Sequence, residues 1–107
     1  MNKFLISLCL LCSSAHAEFM DGNRLISDMR SNSVASQMFA MGYVSGVFDM
    51  GRGFFHCAPA QATIGQVNDM VQNYLTQMPG ERNKSADVLV NRVLATQWPC
   101  PKKGNTL

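Results

Sequence analysis

The chain has 107 residues, with nine Lys/Arg against seven Asp/Glu, a formal charge of +2 and 15% charged residues. That length suits one domain rather than two. A charge this small offers no basic patch for nucleic acid or an anionic membrane surface, and no run of like charges reads as a tail.

Residues 1–17 are set aside before any fold argument. Lys3 gives a short positive segment, Phe4 to Cys12 is apolar, and Ala15-His16-Ala17 is an A-x-A cleavage signal. The apolar core is far shorter than the ~20 residues a membrane-spanning helix needs. The sequence therefore predicts export to the periplasm and cleavage after Ala17. One helical domain over 18–107 follows, with no membrane association after cleavage. Leu11 precedes Cys12 where a lipoprotein signal wants Gly, Ala or Ser, so lipidation is not expected. Cys9 and Cys12 have C-x-x-C spacing but leave with the leader. Cys57 and Cys100 remain, and an even count in an exported chain predicts one disulfide.

Asp21-Gly22-Asn23 supplies capping residues, and Leu25, Ile26 and Met29 share a helical face, so a short helix is expected over 23–30. A turn at Ser31-Asn32-Ser33 follows, and Ser33 caps a long central helix. It should fray at Gly51-Arg52-Gly53 and end before Cys57-Ala58-Pro59. Ala40, Val44, Val47, Phe48, Gly51, Phe54 and Phe55 make its expected buried side. A second stripe holds Gly42, Gly46, Asp49 and Gly53. Glycine inside a helix costs roughly 1 kcal/mol relative to alanine, so several on one stripe imply close approach of another backbone. Either a helix of the same chain or a partner chain would satisfy that. Asp49 is expected to bond a neighbouring helix end or Arg52.

Thr63 caps a third helix whose apolar face is Ile64, Val67, Val71, Tyr74, Leu75 and Met78. Pro79-Gly80 stops it, and Glu81 to Lys84 is a charged connection. Ser85 caps a fourth helix with Ala86, Leu89, Val90, Val93, Leu94 and Trp98 turned inward. Pro99 ends it, and Cys100 follows where it can reach the end of the central helix. The tail from Pro101 onward has nothing to bury. No period-two alternation of useful length occurs. The fold class is all-α, a small bundle of three longer helices plus a short N-terminal helix, with one disulfide between the second and fourth.

Little in the sequence carries chemistry. His56 is the only histidine beyond the leader, and its neighbour Cys57 is expected to be oxidised. No catalytic residue is therefore assigned, and a helix-end histidine reads as a cap or surface group. No set of Cys, His and carboxylates has metal-ligand spacing, so neither metal nor cofactor is expected. Gly51-Arg52-Gly53 lacks the strand that a phosphate loop requires. The methionines read as core filler, with adaptability that also suits a binding surface. Asn83-Lys84-Ser85 matches a glycosylation sequon, and its serine reads as the helix cap.

One family shares this pattern. Gly22-Asn23-x-Leu25, Gly42-Tyr43-Val44-x-Gly46-Val47-x-Asp49 and Phe55-x-Cys57-x-Pro59 together resemble the Rap/Tai-type immunity proteins of type VI secretion. Gln66-Val67, Tyr74-Leu75, Pro79, Ala86, Val90 and Trp98-Pro99-Cys100-Pro101 continue the match in order. The resemblance implies a small helical periplasmic protein, often dimeric, that binds and blocks a cell-wall amidase toxin. The family commonly has a further cysteine pair in its first two helices. Met29 and Ala40 stand at the matching positions here, so that crosslink is absent as a pair.

An inhibitor of this kind works by burying a protruding element in the enzyme's cleft. The third helix with its exit turn, Gln72 to Lys84, is the candidate element, with Asn73, Gln77, Glu81, Arg82 and Lys84 as partner-binding residues. Gly42, Tyr43, Gly46 and Asp49 are the candidate homodimer contact. The alternative is a periplasmic helical binding or chaperone-like protein with a different partner, since fold does not fix function. An enzyme would have only His56 and Asp49 to work with.

Overall fold

The computed structural model describes residues 19–102. The leader, Cys9 and Cys12 with it, and residues 103–107 lie outside the described residues. Four helices form: α1 (Gly22–Met29), α2 (Val34–Gly51), α3 (Ile64–Gln77) and α4 (Ala86–Gln97). A 3-10 turn at Pro79–Glu81 joins α3 to α4. No strand occurs among the described residues, only two isolated bridges, so the all-α expectation holds.

Asp21 opens α1 by accepting the Arg24 N–H at 2.8 Å. Arg24 then pairs with Asp28 one turn on, at 3.0 Å. Leu25 and Ile26 are buried. The start of α1 is also stitched, backbone to backbone, onto the connection between α3 and α4. Gly22 N–H donates to Lys84 C=O (3.1 Å), Asn23 N–H to Arg82 C=O (2.9 Å), and Ala86 N–H to Met20 C=O (2.9 Å). A β-carbon at Gly22 would stand 2.9 Å from both the Cα and the carbonyl oxygen of Arg82, and 2.6 Å from Leu89 Cδ1. Only glycine permits that approach.

Ser33 caps α2, accepting the Ser36 N–H at 3.4 Å. Ala40, Val44 and Gly51 are buried, and Tyr43, Val47 and Phe48 pack partly against the core. The expected inward face stops there. Gly53 has φ +82, a conformation that favours glycine, and the N–H groups of Phe54 and Phe55 fold back to Gly51 C=O at 3.0 and 2.8 Å. The chain thus leaves the helical path, and Phe54 and Phe55, expected to be buried, are 84% and 62% exposed.

Thr63 caps α3 through the Gln66 N–H at 3.2 Å. Val67, Val71 and Leu75 are buried and Tyr74 partly so, whereas Ile64 and Met78, at the two ends, are exposed. Pro79 occupies the first position of the 3-10 turn, where its missing N–H costs nothing. Ser85 precedes α4 without capping it; its hydroxyl donates instead to the Asp87 carboxylate. Ala86, Leu89, Val90, Val93 and Leu94 are buried, with Trp98 packed at the edge. All four helices contribute to this one apolar cluster. Each fully buried Leu or Val adds about 1.5–3 kcal/mol relative to exposure.

Cys57 and Cys100 form the expected disulfide, their Cα atoms 4.8 Å apart across 43 positions of sequence. Cys57 N–H also donates to Trp98 C=O at 2.8 Å. The segment after α2 is therefore fixed to the exit of α4 both covalently and through the backbone.

Candidate functional site

The described residues hold no grouping of His, Cys, Asp and Glu able to bind a metal ion. His56 is completely buried. Its Nε2 lies 2.9 Å from Phe48 C=O, and Ala58 N–H donates to its Nδ1 at 3.2 Å. These partners assign the Nε2–H tautomer. Phe48 C=O is one of the carbonyls that α2 leaves unpaired at its end, so the imidazole caps the helix. The Phe48 ring lies 4.7 Å away, centroid to centroid. Both nitrogens are thus engaged in holding the α2 exit, with none turned to solvent. Replacing His56 by alanine should cost about 3 kcal/mol, from the cavity and the orphaned polar groups together. Urea unfolding measures this, and a loss below about 1 kcal/mol would place the cap's role elsewhere.

Two surfaces remain as candidate contacts. The first runs along α2 facing α4. Gly42, Tyr43, Gly46, Val47, Met50, Gly51, Phe55, Asp87 and Asn91 line a groove of about 420 Å³. The sequence left open whether a helix of the same chain lies on the glycine stripe. Among the described residues nothing does: β-carbons added at Gly42 and Gly46 would meet no atom within 4 Å. Gly51 differs, because a β-carbon there would stand 2.8 Å from Asn91 Oδ1. That side-chain oxygen is buried and has no hydrogen-bond partner. Burial first, and the Asp87 carboxylate second, push the Tyr43 phenol above its ordinary range.

Of the four residues expected at a dimer contact, the groove gathers Gly42, Tyr43 and Gly46 but not Asp49. Asp49 lines a separate hollow of about 230 Å³ with Ser45, Phe48, Thr63 and Val67. Nor does it bond Arg52, as expected from sequence. The Arg52 guanidinium sits over the Phe48 ring, 5.6 Å from its centroid, and donates to Ala58 C=O at 3.4 Å.

The second surface is the exposed edge of α3, the 3-10 turn and α4. Gln77 donates to Asn73 at 2.9 Å. Glu81 pairs with Lys84 and, at 3.5 Å, with Arg92, which also donates to the Tyr74 hydroxyl at 3.1 Å. Lys84, and then Arg92, hold the Glu81 carboxyl below its ordinary range. Arg82 points the other way: its Nε donates to Leu75 C=O at 2.6 Å, closing the C-terminal end of α3. So Asn73, Gln77, Glu81 and Lys84 are presented outward, while Arg82 braces the turn. A groove of about 380 Å³ beside them adds Tyr74, Arg92, Thr96 and Gln97. Sequence reasoning missed these α4 residues because it sorted that helix by its buried stripe alone. The polar i, i+4 pair Arg92 and Thr96 was the available signal.

Compared with known proteins, the family model describing Rap1a immunity proteins matches residues 3–100. Among curated proteins, none matches the chain.

Proposed function

Because the chain belongs to the Rap1a immunity protein family, we propose that it neutralises a type VI secretion effector, a peptidoglycan amidase, by binding it in the periplasm. The family match carries this reading. Export through the leader, cleaved after Ala17, would deliver the chain to the compartment where such a toxin acts. The Cys57–Cys100 disulfide suits that oxidising compartment. No helix among the described residues is long and apolar enough to cross a membrane.

The action is occlusion rather than catalysis. An edge that displaces water and substrate from a cleft needs shape, complementary polar groups and little freedom to lose on binding. The α3 exit supplies these: Asn73 and Gln77 are paired with each other, and Glu81 is tied to both Lys84 and Arg92. We place the amidase contact on Asn73, Gln77, Glu81 and Lys84, with Arg82 holding the turn from behind. We further propose that the protein acts as a homodimer through the open face of α2.

The test is binding of the purified mature chain to a type VI peptidoglycan amidase, by calorimetry. Charge reversal at Glu81 and Lys84 together should weaken binding by about tenfold or more. An unchanged affinity would move the contact off this edge. No binding by the wild type would remove the amidase as partner.

A further inference from the structure

We infer that the groove between α3 and α4 receives an acidic side chain of the effector, held by Arg92 together with the Tyr74 hydroxyl. This rests on the effector-binding reading above and adds to it the chemistry that the toxin must present. The groove shares Asn73 and Gln77 with the proposed contact edge, so a protein that covers the edge also covers the groove. No residue of α2 lines it, and it stays open whether or not two copies pair.

Charge is the first observation. Arg92 is the one charged residue in the lining, and its side chain is 41% exposed. Asp69, one turn before Asn73 on α3, does not line the groove. Glu81 stands beside Arg92, but Lys84 is its closer partner and the main cause of its lowered pKa. Arg92 reaches Glu81 through Nη1 alone, at 3.5 Å, beyond the ~2.7–3.2 Å of an ordinary N–H···O bond. The same nitrogen donates to the Tyr74 hydroxyl at 3.1 Å. Nε and Nη2 of Arg92 have no partner among the described residues. The guanidinium can therefore turn to a new carboxylate while Lys84 stays on Glu81.

The neighbouring polar groups are donors too. The Tyr74 oxygen accepts from Arg92, which leaves its own O–H to donate. The Asn73 oxygen accepts from Gln77, which leaves the Asn73 amide N–H groups. The Thr96 hydroxyl is already spent on Arg92 C=O, at 2.8 Å. A positive charge among donors calls for a ligand that only accepts. A carboxylate does so, with two oxygens matched to parallel N–H groups of a guanidinium. On an open surface such a pair contributes little. Here Met70 and Val93 give the groove an apolar side, and a docked effector would close the other, so the pair forms out of water and gains strength. A lysine or an apolar side chain in the same place would cover Arg92 without pairing it, and would be rejected.

The mature chain, with its native disulfide intact, is titrated against a type VI peptidoglycan amidase as wild type, Arg92→Glu and Arg92→Lys. Arg92→Glu should weaken binding about 100-fold. Arg92→Lys should weaken it about tenfold, because an ammonium is a point charge without the planar fork. Both variants should melt with the wild type, as surface substitutions do. The second measurement uses the Arg92→Lys complex. Carbodiimide should couple the amine introduced at position 92 to an Asp or Glu of the amidase, identified by mass spectrometry of the joined peptides. Wild-type binding that Arg92→Glu leaves unchanged would overturn the inference and spare the effector reading. So would coupling at position 92 only to Glu81 of the same chain, which would make Arg92 a brace for the edge. If Arg92→Glu melts early, the crosslink decides alone. A wild type that binds no amidase would overturn the effector reading, and this inference with it.

Discussion

Replacing Cys57 and Cys100 together by serine should lower the unfolding free energy by about 4 kcal/mol on the chain-entropy account of a 43-position loop. In a domain of this size that corresponds to a fall of about 20 °C in melting temperature. The loss has a structural side as well. The bond fixes the segment after α2 to the exit of α4, and that segment holds His56 under the end of α2. Once cut, the Cys57 N–H to Trp98 C=O bond, at 2.8 Å, is the one hydrogen bond among the described residues that still ties the two elements. His56 packing and the positions of Phe54 and Phe55 should then loosen before the α1–α3–α4 core does. Urea unfolding under oxidising conditions, with hydrogen exchange at residues 51–58, checks both parts. A stability loss below about 1 kcal/mol would mean that packing, not the crosslink, fixes this corner.

The helices and the crosslink were legible in the sequence for identifiable reasons. Thr63 before Ile64, Val67 and Val71, and Pro79-Gly80 behind them, state both ends of α3 in local terms. Cys57 and Cys100 were paired by elimination once the leader was removed. The exit of α2 was half legible: Gly51-Arg52-Gly53 marked where it frays, and the helix ends at Gly51, but Phe54 and Phe55 continue the apolar spacing and were expected on the buried side. The positive φ at Gly53 and the bonds back to Gly51 C=O turn them outward instead. Asp49 was misplaced for a related reason. A stripe counted along one helix says nothing about which neighbour stands beside each part of it, and α4 closes against Gly51 while leaving Gly46 open. The contact edge was half legible: Glu81 and Lys84 are conspicuous as charges. Arg82 differs from them only in a hydrogen bond to Leu75 C=O, which no spacing rule anticipates.

Gly22→Ala should be the most damaging single-methyl change in the chain, costing about 3 kcal/mol. Two of the three atoms within 3 Å of the added carbon are backbone atoms of Arg82, which cannot swing aside as a side chain could. Relief requires the start of α1 to move away from the α3–α4 connection. That movement strains the bonds from Gly22 N–H to Lys84 C=O and from Asn23 N–H to Arg82 C=O. The same connection carries Glu81 and Lys84, so the change should also weaken effector binding, by about tenfold, though residue 22 is not placed in that contact. Gly46→Ala is the internal comparison, because its added carbon meets open space. Helix propensity alone should then stabilise the monomer by up to ~1 kcal/mol. Thermal unfolding of the two variants side by side, with effector affinity measured for each, separates the cases. If Gly22→Ala melts with the wild type, the backbone contact at Arg82 does not hold α1 in place. If it melts early yet binds the effector unchanged, the α3 exit turn keeps its shape without α1.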